Sequence, residues 1–371
     1  MRTTAQLATL VGVLVAAAVA VPPVVSAGEF HRESTIAFTS NRDNLGLVAD
    51  QPMLRFEVYL MNPDGTNVRR LTQNTDGDGF GALSPDGRKI VFDSNRNRAD
   101  YLSPCGPTSV FVSDLFLMDG AGGEQTLVRS ASSSATWSPD SKEIAFHASA
   151  SGLGCPSRTD PGAAATDSDI FVANLDDLLT GIEQPLNVTN TPDKIDDDAD
   201  WSPTARKLVY TAHDVGDDIP SGQGALSNSA ELYVTKTDGS DRTALTWNTF
   251  EERAPAWSPS GGRIVYSCRI GGGAADFEIC LINADGTGAV QLTNNTVADL
   301  TATWSPDGQQ VVFQRPVLGQ GNQLFTMPPS LNQDGTLPTA TQRTFSPPGI
   351  SPPAVNLLAN WGELRVKGAA P

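Results

Sequence analysis

The side chains able to carry chemistry are few in this chain. Three histidines, four cysteines and an excess of acids over bases are the stock for any site. His147 and His213 each follow a short β-rich run. Paired with Asp214 and Asp196 they would form a metal or general acid–base site, because imidazole and carboxylate serve both chemistries. The plainer reading makes both histidines loop-edge polar residues, and His31 falls in a stretch expected to be flexible. Gly-x-Ser-x-Gly, Cys-x-x-Cys, His-Glu-x-x-His and phosphate-loop motifs are all missing, so no familiar nucleophile or cofactor cradle is assembled.

The elements that must position these residues repeat. An aromatic residue followed by Ser-Pro occurs at Trp137, Trp201, Trp257 and Trp304, and Leu83-Ser84-Pro85-Asp86-Gly87 is the same phrase with Leu first. Each phrase precedes a β-rich run: Ile90-Val91-Phe92, Ile144-Ala145-Phe146, Leu208-Val209-Tyr210, Ile264-Val265-Tyr266 and Val311-Val312-Phe313. Pro-Asp-Gly chemistry between phrase and run predicts a hairpin. A third strand follows, beginning at Glu57, Asp114, Asp169, Glu231, Glu278 and Gln323. Asp-Gly turns at 64–65, 238–239, 285–286 and 334–335 then lead into a fourth.

Four antiparallel strands per unit, about 47 residues apart from Trp257 to Trp304, are the mark of propeller blades. Six third strands predict an all-β, six-bladed β-propeller of four-stranded blades. Ile36-Ala37-Phe38 matches a second strand without its first, and Ala359-Asn360-Trp361 matches a first strand with nothing after it. Pairing the C-terminal strand with the first blade would close the ring and remove free edges. These phrases resemble the TolB-like, WD-repeat-like propeller repeat over nearly the whole mature chain. The resemblance implies an extracytoplasmic propeller that binds other macromolecules, here without the N-terminal α/β domain of TolB itself.

The N-terminus reads as a signal peptide, 1–27, with Arg2, an apolar run from Leu7 to Val21 and a small-residue cleavage site at Val25-Ser26-Ala27. A short extension (28–33), the propeller (34–366) and a tail (367–371) complete the expected organisation. A secreted or periplasmic location follows, with no stable membrane insertion after cleavage. The net charge of −17 and the lack of basic runs exclude nucleic acid as a partner.

Alternation of strand direction puts the connectors between blades and the long insertions of blades one to four on one face. That face is the expected docking surface for a protein or glycan ligand. Cys105 and Cys155 fall in two of these insertions, and Cys268 and Cys280 flank one hairpin. The expected disulfides are Cys105–Cys155 and Cys268–Cys280.

Five residues before each inner-strand tryptophan, or its Leu83 equivalent, stand Asp78, Ser132, Asp196, Glu252, Asp299 and Asn356. They are expected to ring the channel mouth. Two readings stay open. Such oxygens could hold Ca²⁺, with Asp196, Asp198 and Asp299 as candidate metal ligands, although no cofactor is required. Alternatively, Arg42, Arg96, Arg269 and Arg315 at the ends of second strands could pair with them between blades. The expected function is a binding or scaffold module; the alternative is a carbohydrate- or peptide-active lyase or hydrolase with a central metal. The five repeated tryptophans are expected to pack between blades.

Overall fold

The computed structural model describes residues 30–43, 56–74, 76–97, 113–149, 168–182, 184–191, 194–214, 230–248, 250–270, 276–346 and 354–367. The expected signal peptide, Cys105, Cys155 and most of the long insertions lie outside the described residues. The chain divides into two compact units, Arg32–Arg365 and a smaller one made of Met1–His31 with Val366–Pro371. Phe30, His31, Val366 and Lys367 are what is described of the smaller unit, all in strand conformation. His31 therefore lies in a strand, not in a flexible stretch, and strand structure reaches into both the extension and the tail.

The larger unit is built from hairpins whose turns the sequence specifies. In Ser84-Pro85-Asp86-Gly87 the Gly87 N–H donates to the Ser84 carbonyl at 2.8 Å, and Asp86 accepts from Ser84 Oγ at 2.7 Å. Proline presets the first turn residue, and Gly87 takes a φ of 71° that a side chain resists. A Cβ on Gly87 would also stand 2.7 Å from the Arg365 nitrogen, so glycine is needed here twice over.

The strands of the described residues form five sheets, I to V. Sheet I runs Asn356–Lys367, Phe30–Ser40, Glu57–Met61, Arg69–Arg70, so the C-terminal strand pairs with the N-terminal one. Sheet II contains Asp78–Leu83, Lys89–Ser94, Asp114–Asp119 and Thr126–Arg129. Sheet III has eight strands in two antiparallel halves. IIIa comprises Ser132–Trp137, Glu143–Ser149, Ser168–Asn174 and Leu186–Asn187, and IIIb comprises Lys194–Trp201, Lys207–Asp214, Glu231–Lys236 and Thr243–Ala244. One parallel bridge, Ser168 to Ile195, joins the halves. Sheet IV contains Glu251–Trp257, Arg263–Arg269, Glu278–Asn283 and Val290–Gln291; sheet V contains Leu300–Trp304, Val311–Val317, Gly321–Met327 and Thr341–Gln342. The architecture is an all-β propeller. No helix among the described residues is long and apolar enough to cross a membrane.

The core is divided among the seams between neighbouring sheets. Val91 and Leu115 of sheet II meet Trp137 and Phe146 of IIIa, Ile170 of IIIa meets Trp201 and Tyr210 of IIIb, and Leu232 of IIIb meets Trp257 and Tyr266 of IV. Ile279 of IV meets Trp304 and Phe313 of V, and Leu324 of V meets Phe38 and Trp361 of I. Each of these seams receives one tryptophan from its second sheet. Trp137 and Trp304 donate their indole N–H across the seam to the carbonyls of Ala82 and Ala256, both at 3.0 Å. All five repeated tryptophans are buried, as packing requires. Trp304→Ala should therefore cost about 3–5 kcal/mol in a denaturant melt, the range for large-to-small core changes; an unchanged midpoint would refute the seam assignment.

Candidate functional site

A carboxylate leaves water only when something pairs with it. Asp78, Ser132, Asp196, Glu252, Asp299 and Asn356 are all buried, so they do not ring an open mouth. They stand at or beside the N-terminal ends of the inner strands and face the same seam as the tryptophan that follows. Arginine meets four of them. Arg315 grips Asp299 with two bonds of 2.6 Å, Arg96 reaches Asp78 at 2.8 Å, Arg42 donates to Asn356 at 2.7 Å, and Arg242 lies 3.6 Å from Asp196. Each pair lies within one sheet, not between blades as expected.

Each of these guanidinium groups also covers a cross-strand aromatic pair. Arg96 stands 4.6 Å from the Phe116 ring centre, Arg315 5.0 Å from Phe325, Arg42 5.0 Å from Phe38 and Arg242 4.7 Å from Tyr233. The paired rings are Phe92–Phe116, Phe313–Phe325, Phe38–Tyr59 and Tyr210–Tyr233. Cation–π attraction and the ion pair thus act on one cation. IIIa departs from this arrangement: Ser132 carries no charge, and Arg129 of sheet II covers Phe146 at 5.6 Å. In sheet IV, Arg269 turns to Glu251 at 3.0 Å. Arg242 was not legible as a partner, because it precedes an outer strand.

The candidate Ca²⁺ ligands Asp196, Asp198 and Asp299 do not converge. Both Asp299 oxygens are held by Arg315 in sheet V, whereas Asp196 bonds Thr191 beside IIIb. No group of three or more His, Cys, Asp or Glu among the described residues is placed to hold a metal ion. These three residues do not fit the ion.

The channel is formed by a different position. Each inner strand bulges midway, seen as a register shift in sheets II, IIIa, IIIb, IV and V. At the bulge stand Phe80, Ser134, Asp198, Ala254, Thr301 and Leu358, all left-handed with φ between 49° and 52°. Such a conformation costs a non-glycine residue about 1–2 kcal/mol. Polar side chains of the preceding sheet engage the bulge amides. Phe80 N donates to Thr39 at 3.1 Å, Ser134 N to both Asp93 oxygens at 3.2 Å, and Thr301 N to Ser267 at 3.0 Å. The six bulge residues line a cavity of about 160 Å³ with Asp200 and Asn360.

Titratable groups cluster on the IIIa–IIIb side of this cavity. Burial pushes the Asp198 carboxyl up to about 7, and the charge of Asp197 adds to the shift. Asp200 is raised to about 6 by burial, although it accepts from the Trp257 amide at 2.7 Å and from Thr136 at 3.1 Å. His213 Nε2 lies 3.9 Å from Asp197, and His147 Nε2 bonds Ser133. Burial lowers the His147 pKa. His213 thus meets Asp197 and His147 meets Ser133, not the expected Asp196, and the side chain of Asp214 lies outside those described. The channel residues were invisible in the sequence, since the position keeps its conformation and not its chemistry. The expected Cys268–Cys280 disulfide is present and links two neighbouring strands of sheet IV.

No protein-family model and no curated protein matches the chain. Among solved structures it is similar to TolB from Acinetobacter baumannii, with a TM-score of 0.60 and 17% identity over 89% of this chain and 66% of that one. It is similar to a putative TolB from Agrobacterium tumefaciens, with a TM-score of 0.54 and 16% identity over 91% and 99%. Oligogalacturonate lyase from Vibrio parahaemolyticus gives 0.50 and 13% over 86% and 87%. The chain thus spans just under two thirds of the Acinetobacter protein. The fold is a TolB-like propeller.

Two measurements test the electrostatics. Arg315→Leu should cost about 3 kcal/mol by leaving Asp299 buried and unpaired, and adding Asp299→Asn should recover part of that loss. A single variant as stable as the parent would refute the pairing. Burial pushes Asp93 up to about 8 from an ordinary 3.8. The folded state then holds a proton that the unfolded state releases, so this group's contribution to stability falls as pH rises from about 4 to 8. Asp93→Asn should flatten the decline in Tm between pH 5 and 9; a parallel decline would refute the assignment.

Proposed function

We propose that this chain is an exported, six-bladed propeller that acts by binding a protein or glycan ligand at the loop-side end of its channel. Sheet halves IIIa and IIIb count as two blades, because one bridge joins them and each has its own bulged inner strand. With sheets I, II, IV and V, six inner strands surround the channel. The Cys268–Cys280 disulfide and the leader-like N-terminus support export, since disulfides persist in oxidising compartments.

One observation carries the binding reading: the bulge position varies in chemistry while its backbone stays constant. Phe80 and Leu358 are apolar, Ser134 and Thr301 are neutral hydrogen-bonding groups, Ala254 is small and Asp198 is acidic. A packing position would repeat its residue type as the tryptophans do. Six different groups fixed on a rigid scaffold suit recognition of an asymmetric ligand.

An enzymatic reading is favoured by one feature, the neutral-range Asp198 carboxyl beside Asp197 and His213. Glycan and peptide arrays, followed by product analysis on each hit, separate the two. The binding reading expects capture without turnover and at least a tenfold weaker Kd in Asp198→Asn. Turnover lost in His147→Ala or His213→Ala would overturn it in favour of an enzyme, and a Kd untouched by Asp198→Asn would remove the channel from the site.

A further inference from the structure

Sheet IV breaks the pattern that governs sheets I, II, IIIb and V. In sheet II, Ser94 faces Asp78 and seats Arg96 over the facing rings of Phe92 and Phe116. In sheet IV the residue facing Glu252 is Cys268, and the residue facing Tyr266 is Cys280. The disulfide thus takes the place of both the arginine seat and the second ring. Arg269 goes instead to Glu251 and stacks on Phe277 at 4.3 Å, and Arg253 also pairs with Glu251. Glu252 is left without the guanidinium that its counterparts in sheets I, II, IIIb and V receive.

Another acid faces it there. Glu231, at the start of the third strand of IIIb, is brought against Glu252 across the seam: Asn248 bridges the two carboxyls, and the Glu252 amide donates to the carbonyl of Ala230 at 2.9 Å. One Glu231 oxygen accepts from the Asn248 amide at 2.9 Å; the other is buried and meets no donor. Glu252 accepts from Asn248 Nδ2 at 2.7 Å and from Thr246 Oγ at 3.3 Å. Two ionised carboxylates have only acceptors and cannot bond each other. One proton between them supplies the missing donor. Of the other charged or titratable groups here, Tyr266 is a neutral phenol, Glu278 is held by Thr293 and Asn295, and Glu251 occupies both arginines.

We propose that Glu231 and Glu252 share one proton, and that its loss unlatches Thr246, Trp247 and Asn248, so that ambient pH sets how Trp247 is displayed on the loop face. The pair anchors this connector directly, through Asn248 and Thr246. Trp247 is 83% exposed, whereas the five repeated tryptophans are 8% exposed or less. When the O–H bond opens, its electron pair stays on the carboxyl oxygen and the proton passes to water. Two buried negative charges then oppose each other across the IIIb–IV seam. Burial raises Glu252 to about 8, which sets the expected midpoint.

Acrylamide quenching of tryptophan fluorescence between pH 6 and 9.5 tests the latch, with far-ultraviolet circular dichroism to exclude global unfolding. The wild-type protein should change its quenching near pH 8, and Trp247→Phe should abolish that change. Glu252→Gln and Glu231→Gln each supply a permanent amide donor to the remaining carboxylate, so both should stay latched across the range. A flat wild-type profile, or an undisplaced midpoint in both glutamine variants, would overturn the proposal. The outcome is independent of any ligand, so it can fail while the binding reading stands.

Discussion

Buried carboxylates need a partner, and that constraint organises the loop end of the propeller. The inner strands of sheets II, IIIb, IV and V each carry, at or beside their N-terminal end, an acid buried away from water. A guanidinium is the economical partner, since one cation can satisfy the acid and cover two rings. The source of that cation varies. Arg96 and Arg42 fold back from strand ends, Arg315 projects directly, and Arg242 arrives from beside an outer strand. What is preserved is the electrostatic arrangement and not the residue number that supplies it.

The bulges impose a second constraint, which couples neighbouring sheets. A left-handed residue turns its amide out of the regular ladder, and a buried N–H without an acceptor is costly. The residue after each second-strand aromatic supplies that acceptor in sheets I, II, IV and V: Thr39, Asp93, Ser267 and Gln314. IIIb solves the problem differently. The Asp198 carboxylate accepts from the Ala254 amide, and the Thr211 hydroxyl, at the matching place, is buried without a partner. The most acidic side of the channel thus arises where a channel residue takes over a scaffold bond.

The sequence displays turns and seams well, because both depend on residue type. Ser-Pro-Asp-Gly has few other uses, and a tryptophan before it can fill a seam from any sheet. The side chains at the loop end were misplaced for a countable reason. In a regular strand, residues five apart point to opposite faces, so Asp299 should oppose Trp304 and look into the channel. The bulge at Thr301 inserts one residue and returns Asp299 to the tryptophan side. Nothing in Asp299-Leu300-Thr301-Ala302-Thr303 announces that insertion, because the left-handed residue is not glycine. The same hidden step conceals Phe80, Ser134, Asp198, Ala254 and Leu358.

Sheet IV shows why such a repeat can vary one blade without losing the ring. Its seam contacts with IIIb and V are apolar and match those of the other seams, with Trp257 and Trp304 in the usual places. The exchange of an arginine and an aromatic ring for a disulfide is confined to the loop end of the blade. There a covalent link replaces the cross-strand attraction that the stacked rings provided. It cannot replace the positive charge, because sulfur in a disulfide carries none. The cost of the exchange therefore falls on Glu252 alone, and a second acid holding a proton is the smallest change that neutralises it. A repeat architecture tolerates this because each blade meets only its two neighbours, so an altered charge balance stays within one seam.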